Sequence, residues 1–385
     1  MLDTDDAFTD TQALYTSLGA RPVINAAGAL TILGGSRLSP AVRAAMEAAN
    51  HSFADMKSLL ESSGAIVAGM LDAEAAYITS GAAASLTLSM AACLTRDHPD
   101  YLERLPDTDG IPNEVLVQRN SRQRYDECLR FAGARIIDVG DENGLTMPQL
   151  AEAMGPNTAA VHYFAQSTSP GTPAIEDVVQ TAHADGKPVI VDAAGLTYPL
   201  DNLRRFARAG ADLVCYAAKY FDGPHSTGLI VGRKELVDMA ALNGFIGFET
   251  SGTYTLGRPM KVDRQEIFAC VVALREWLAM DHEARYSRYA ADAEVVLGAL
   301  KGIAGVDAKL LSQAGAPVAS LREGVAVQLA NRSATAVFEA LRDGDPSIWV
   351  RTASGRDDFF TVSVGFLDGG DAELIAHRLR AVLSA

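Results

Sequence analysis

Along the middle third of the chain, short apolar runs alternate with longer segments of helical periodicity, and glycines punctuate the exchange. Runs at 115–118, 135–139, 159–164, 189–192 and 212–217 read as buried strands. The segments 122–132, 148–154, 174–184 and 201–209 read as helices, three of them halted at Gly133, Gly186 and Gly210. This repeat predicts a doubly wound α/β domain, a mostly parallel sheet with helices on both faces. Upstream, Ser39 and Pro40 open a helix as cap and first residue, and a second amphipathic helix fits 55–70. A short strand reaching Thr79 then runs into a helix carrying Leu86, Leu88, Met90 and Ala91, followed by a polar insertion at 96–113. Downstream come a strand at 228–232, a helix at 234–242 and a glycine-rich loop at 243–261. Asp263 with Glu266 forms a capping box for a long helix ending near Met280, and a further helix reaches Leu300. Beyond it the pattern changes to strands near 306–311, 325–329, 347–351 and 360–364 with helices at 333–342 and 371–383, a smaller α+β layer.

The first twenty residues read as a polar arm with one short helix, and 21–28 as an extended piece. The organisation expected is an arm and small-domain segment over 1–35 and a large domain over 36–260. A linking helix and small C-terminal domain then occupy 261–385.

Composition narrows the functional classes. With 385 residues, 48% hydrophobic and 21% charged, the chain is globular and able to bury a large core. Its 33 Lys+Arg against 48 Asp+Glu give a net charge of −15 with no basic stripe, which disfavours nucleic acid as a partner. The acidic start Met1-Leu2-Asp3-Thr4-Asp5-Asp6 is unlike a signal peptide, and no apolar stretch is long enough for a membrane span. Cys93, Cys128, Cys215 and Cys270 are far apart, the pattern of buried free thiols in a reducing cytoplasm, so neither a zinc site nor a disulfide framework is expected.

Three stretches carry chemistry. The apolar run ending at Lys219 places an amine at the lip of a buried strand, where desolvation favours its neutral, nucleophilic form; an ordinary solvated lysine is the competing reading. The small residues Ser80, Gly81 and Ala82 open a helix whose unpaired N–H groups suit an anion, although Ser-Gly also caps helices that bind nothing. Asp192 ends an apolar strand, where it could ligate a metal, act as a base, pair with a cationic ring nitrogen or simply cap the following segment. The three together fit pyridoxal 5′-phosphate, which needs a helix N-terminus for its phosphate, a lysine for its aldehyde and a carboxylate for its pyridine nitrogen.

The segments Arg21-Pro22-Val23-Ile24-Asn25-Ala26-Ala27-Gly28, Thr79-Ser80-Gly81-Ala82, Asp192-Ala193-Ala194, Lys219-Tyr220-Phe221-Asp222-Gly223-Pro224 and Gly257-Arg258-Pro259-Met260-Lys261 occur in that order. In them the chain resembles the fold-type I pyridoxal-phosphate enzymes, on the selenocysteine-synthase-like branch that includes D-glucosaminate-6-phosphate ammonia-lyase. The resemblance spans roughly residues 18–300. It implies that Lys219 forms the Schiff base, that Asp192 pairs with the pyridinium, and that Ser80, Gly81 and Ala82 hold the phosphate. Thr227 is implied as a further contact, within the chain or across a dimer interface. Ala217 stands where many relatives have a serine. Asn120-Ser121 replaces a Gly-His whose histidine stacks on the ring; Ser121 is too small to stack, which leaves Asn120 or Arg119, or nothing, to cover it. His225 stands where glutamine is frequent, as a proton donor, a substrate contact or a structural histidine.

Arg351 is the candidate for a substrate carboxylate, with Arg356 and Arg258 as rivals, and Lys261 for a second anionic group. The remaining histidines, His162 among them, receive no role. The reaction expected is elimination of the β-hydroxyl of a hydroxy amino acid, sugar-derived on this reading, giving a keto acid and ammonia. Lys219 serves as α-base and His225 or Tyr220 as acid. A racemase or aminotransferase on the same scaffold, or a binding protein without turnover, are the alternatives. A homodimer or higher even assembly is expected.

Overall fold

A computed structural model describes residues 11–311 and 323–384. Of the expected arm, the helix is Thr11–Ser17, and the first ten residues lie outside the described ones. Among the described residues twelve strands form two sheets: β1 (Val23–Ala26), β2 (Ala75–Thr79), β3 (Glu114–Gln118), β4 (Arg135–Val139), β5 (Thr158–Phe164), β6 (Val189–Asp192), β7 (Leu213–Ala217), β8 (Gly228–Gly232), β9 (Val306–Leu310), β10 (Gly324–Leu329), β11 (Ser347–Ala353) and β12 (Arg356–Ser363). They belong to two compact units. One is Ser36–Met280; the other comprises the described residues up to Gly35 and those from Asp281 on.

In the larger unit the strand order is β2-β8-β7-β6-β5-β3-β4. Strands β3 to β7 pair in parallel, and β8 lies antiparallel between β7 and β2. The α/β architecture read from the alternation is the one observed. Every residue of β6, β7 and β8 is buried, as strands covered on both faces require. Each such Val, Leu or Ile contributes roughly 1.5–3 kcal/mol. Because β8 alone runs backwards, the carboxyl ends of β2, β3, β5, β6 and β7 share one edge with the start of β8. The order reverses between β3 and β5, where such sheets open a crevice for ligands.

Two local expectations need correction. The segment read as a glycine-rich loop contains the helix Phe245–Thr250: Gly244 ends one helix and starts the next, and the buried Phe245 ties the new turn to the core. The helix expected at 122–132 is shortened to a single 3-10 turn, Arg124–Asp126, and Glu127–Phe131, because Gln123 and Asp126 form a capping box and start the turn late. Ser39 and Asp263 cap their helices as the sequence indicates. The helix Arg264–Ala279 packs on Pro40–Asn50 within the larger unit.

The smaller unit has strand order β1-β11-β12-β10-β9, with β1 parallel to β11 and the other pairs antiparallel. One face of the sheet, carrying Val325, Val327, Ile348, Val350, Phe360 and Val362, forms a core with Val296, Leu300, Val337, Ile375 and Leu379.

Candidate active site

Strand β2 delivers the anion cradle. Thr79 at its end donates its hydroxyl to Gly81 O (3.1 Å) and shares a hydrogen bond with Ser85 Oγ (2.7 Å), which fixes the turn into the helix Ala82–Thr95. Gly81 takes φ +96°, a conformation L-residues rarely adopt, and no side chain caps this helix. The first N–H groups, from Ala82 to Ala84, therefore have no intrahelical partner and mark the positive end of the helix dipole. The backbone of Gly228 passes so close that a Cβ there would lie 2.6 Å from Gly81 C and 2.7 Å from Ala82 N. Ser80 and Ala82 are half-buried.

At the end of β6, Asp192 is 3% exposed. Its Oδ1 accepts from Ala194 N (3.1 Å) and its Oδ2 from Gln123 Nε2 (3.0 Å). Burial raises its proton affinity above the usual carboxylate range, against the opposing pull of His162 and the two donors. His162 is 4% exposed, and neither of its ring nitrogens has a hydrogen-bond partner. Burial pushes it below the ordinary histidine range. Among the described residues no three His, Cys, Asp or Glu side chains gather as a metal-binding group.

Strand β7 ends in the single 3-10 turn Ala218–Phe221, which carries Lys219. Ala218 N donates to Thr227 O and Gly223 N to Ala218 O, pinning the turn on both sides. Lys219 is half-buried, its Nζ 5.2 Å from the centroid of the Tyr220 ring. Burial, and then the Lys219 charge, push His225 below the ordinary histidine range, so these two side chains lie within electrostatic reach of one another. Its Nδ1 is buried without a partner.

The other expected residues are placed as follows. Thr227 is fully buried and donates its hydroxyl to Pro224 O (3.0 Å), a bond that holds its own turn. Ser121 is buried and shares a hydrogen bond with Ser167 Oγ (2.6 Å), joining the loops after β3 and β5. Asn120 is tied to Glu142 O and Pro170 O, while Arg119 is exposed. Lys261 is exposed. Of the three arginines, Arg258 pairs with Glu249 and Arg356 with Asp358. Half-buried Arg351 lies opposite Thr361 on β12, whose buried hydroxyl has no partner. Arg351 and Arg356 belong to the smaller unit, and the other candidates to the larger.

Two residues without a sequence signal of their own join the edge. Gln123 holds Asp192, and Gln166 accepts from Gly195 N (3.1 Å) with its amide packed against that glycine. Both follow the carboxyl end of a parallel strand by two to five residues, the one rule that could have found them.

No family model matches the chain. It is 32% identical over 380 residues to D-glucosaminate-6-phosphate ammonia lyase of Salmonella typhimurium, covering 97% of this chain and 98% of that one. It is also 32% identical over 379 residues to 5′-C-glycyluridine monooxygenase-decarboxylase of a Streptomyces species, covering 96% and 92%. L-seryl-tRNA(Sec) selenium transferase of Moorella thermoacetica matches at 26% identity over 93% of this chain and 81% of its own. Among solved structures, that of a D-glucosaminate-6-phosphate ammonia-lyase superposes with a TM-score of 0.82 at 30% identity, covering 97% of this chain and 99% of the other. A lysine-to-alanine variant of the serine palmitoyltransferase of S. paucimobilis with a bound PLP–myriocin aldimine shares the fold, with a TM-score of 0.57 at 15% identity over 94% of this chain and 87% of its own.

Proposed function

The chain belongs to the selenocysteine-synthase-like family of pyridoxal-phosphate enzymes, the family of D-glucosaminate-6-phosphate ammonia-lyase, and from that premise we propose that it is a lyase acting on a sugar-derived hydroxy amino acid. The reaction on this reading removes the β-hydroxyl and releases a keto acid and ammonia. The observation that carries it is the shared edge of the sheet, where an uncapped helix N-terminus, a buried carboxylate and a lysine end β2, β6 and β7.

Pyridoxal phosphate fits these residues. The cradle has no side-chain bulk at Gly81 or Gly228, and Asp192 has two hydrogen-bond donors but no ion-pair partner among the described residues. When bound, the cofactor supplies an electron sink for a carbanion at the substrate α-carbon. The N–H groups of Ala82 to Ala84 would hold its phosphate, with Ser80 beside them, and Asp192 its ring nitrogen. Lys219 would hold its aldehyde carbon.

In turnover Lys219 Nζ takes the α-proton. His225 gives a proton to the departing hydroxyl. Burial first, and the Lys219 charge second, depress the acid form of His225, so a protonated imidazole there gives up its proton readily, most of all once Lys219 carries the α-proton. Arg351, with no ion pair among the described residues, suits the substrate carboxylate, and the exposed Lys261 a second anionic group. Ser121 and Thr227 act by bracing the loops that carry the site.

A second reading is oxidative decarboxylation, favoured by the equal identity to the monooxygenase-decarboxylase. One experiment separates them. The purified protein is loaded with pyridoxal phosphate and given D-glucosaminate 6-phosphate and a panel of D- and L-amino acids. Ammonia, keto acid, carbon dioxide, oxygen uptake and optical rotation are followed together. Ammonia with keto acid and no oxygen uptake supports the lyase; oxygen uptake with carbon dioxide supports the decarboxylase. Lys219→Ala should lose both the yellow colour and the activity, and a protein that stays colourless with the cofactor sinks both readings.

A further inference from the structure

Buried polar groups behind Asp192 exceed what a simple ring-nitrogen contact needs. On β5 and β6, His162 is in register with Ile190 and Phe164 with Asp192, so the His162 and Asp192 side chains leave the same face of the sheet as diagonal neighbours. From the third side comes Gln123, whose Nε2 spans 69 residues of sequence to reach Asp192 Oδ2 at 3.0 Å. The turn that carries Gln123 is itself fixed: its backbone N–H donates to Asp126 Oδ2 (3.0 Å), and Arg122 Nε donates to the same oxygen (2.5 Å). Asp126 Oδ1 and both His162 ring nitrogens are buried without partners, an expensive arrangement. Desolvated polar groups of this kind persist where they serve a neighbour.

We propose that Gln123 and His162 are positioning residues for Asp192: together they fix the direction of its carboxylate and how readily it ionises, a role that presupposes pyridoxal phosphate opposite that carboxylate. Gln123 donates to the anion directly. The neutral imidazole of His162 supplies a polarisable wall where an apolar side chain would further disfavour the charge. The groups facing this pair are Asp126 and Arg122 from the turn, Cys128 from the following helix and Cys215 on β7. Burial raises both thiols, which therefore stay neutral, and Arg122 is matched by Asp126 and Asp138. No ion pair to Asp192 is seen among the described residues, and holding it ionised falls to the amide donor, Ala194 N and the cofactor ring.

The test compares Gln123→Leu and His162→Phe with the conservative Gln123→Asn and His162→Gln, and with Thr95→Val, a buried polar change elsewhere in the same unit. For each protein two quantities are read: the dissociation constant for pyridoxal phosphate by tryptophan fluorescence, and the pH midpoint of the bound chromophore's absorbance. Loss of one hydrogen bond to the carboxylate predicts about fivefold to tenfold weaker cofactor binding in Gln123→Leu. Harder ionisation of Asp192 loosens the proton on the ring nitrogen opposite and with it changes the proton affinity of the conjugated chromophore, so the midpoint moves by about half a unit or more in Gln123→Leu and His162→Phe. His162→Gln recovers at least half of that shift, and Thr95→Val leaves it where it was. Wild-type midpoints in Gln123→Leu and His162→Phe would overturn the proposal even if affinity fell, because packing damage alone weakens binding without moving a titration. Should His162→Phe fail to fold, His162→Gln set against Gln123→Leu decides by the same midpoint. Failure of the wild type to bind pyridoxal phosphate sinks the cofactor reading and this inference with it; failure confined to the variants sinks the inference alone.

Discussion

Burial raises the proton affinity of Asp192 and lowers those of His162 and His225, and the shifts at Asp192 and His225 have measurable consequences. Asp192 is held above the usual carboxylate range, so the apoprotein is most stable with the proton on. That stability is lost as pH rises from about 4 through the raised value. Asp192→Asn keeps the shape without the charge and should stabilise the apoprotein at pH 8, a gain that fades toward pH 4. The check is the apo Tm across that range, and a Tm lowered at every pH contradicts the argument. The same variant should lose cofactor affinity, since the ring nitrogen loses its anion. For His225, burial and Lys219 both depress the acid form. With His225 as the proton donor, His225→Gln should lower kcat about 100-fold with little change in KM and remove the alkaline limb of the pH–rate profile that its deprotonation sets. An unchanged kcat reduces His225 to a structural residue.

The element scale shows why the cradle tolerates so little change. Strand β8 begins at Gly228 against the turn that opens the helix Ala82–Thr95, and a Cβ at 228 would also lie 2.8 Å from Tyr216 O. All three close atoms are backbone and cannot swing away. Gly228→Ala should therefore cost roughly 1–3 kcal/mol in stability and weaken cofactor binding by displacing Ala82 N, measured by chemical denaturation and by pyridoxal-phosphate titration. At this scale much was legible in the chain itself: the alternation at 115–217 gave the parallel strands, and Ser39 and Asp263 gave their caps. The helix Phe245–Thr250 was not, because glycines that read as loop serve here as a hinge between two helices whose side chains pack inward. Likewise the late start of the 124–131 helical segment depends on a capping pair that periodicity does not register.

For the whole molecule, two exposed aromatics offer a test of the expected homodimer. Phe53 is 96% exposed with the Arg264 guanidinium 5.3 Å from its ring centroid, and Phe268 one turn further along that helix is 42% exposed. Single apolar side chains are ordinary on a surface, and these two serve here as the site at which the expected assembly is tested. A second copy of the chain is the expected occupant, and Phe53→Asp should shift the protein toward monomer in sedimentation velocity at micromolar concentration. A wild-type protein already monomeric there would remove the dimer from the account.

Taken by itself, the sequence determined the parallel α/β sheet and the three groups at its edge, because strand ends, a glycine turn and a terminal Asp or Lys are local features written in consecutive residues. It also yielded candidates such as Arg351, Lys261 and Ser121 by type and position. Tertiary structure alone decided which side chains surround Asp192: Gln123 arrives from 69 positions away and His162 from the neighbouring strand. It likewise committed the hydroxyls of Thr227 and Ser121 to bracing loops. The reason is physical: hydrogen bonding and desolvation act between groups that packing brings together, and their separation along the chain leaves no periodicity to read.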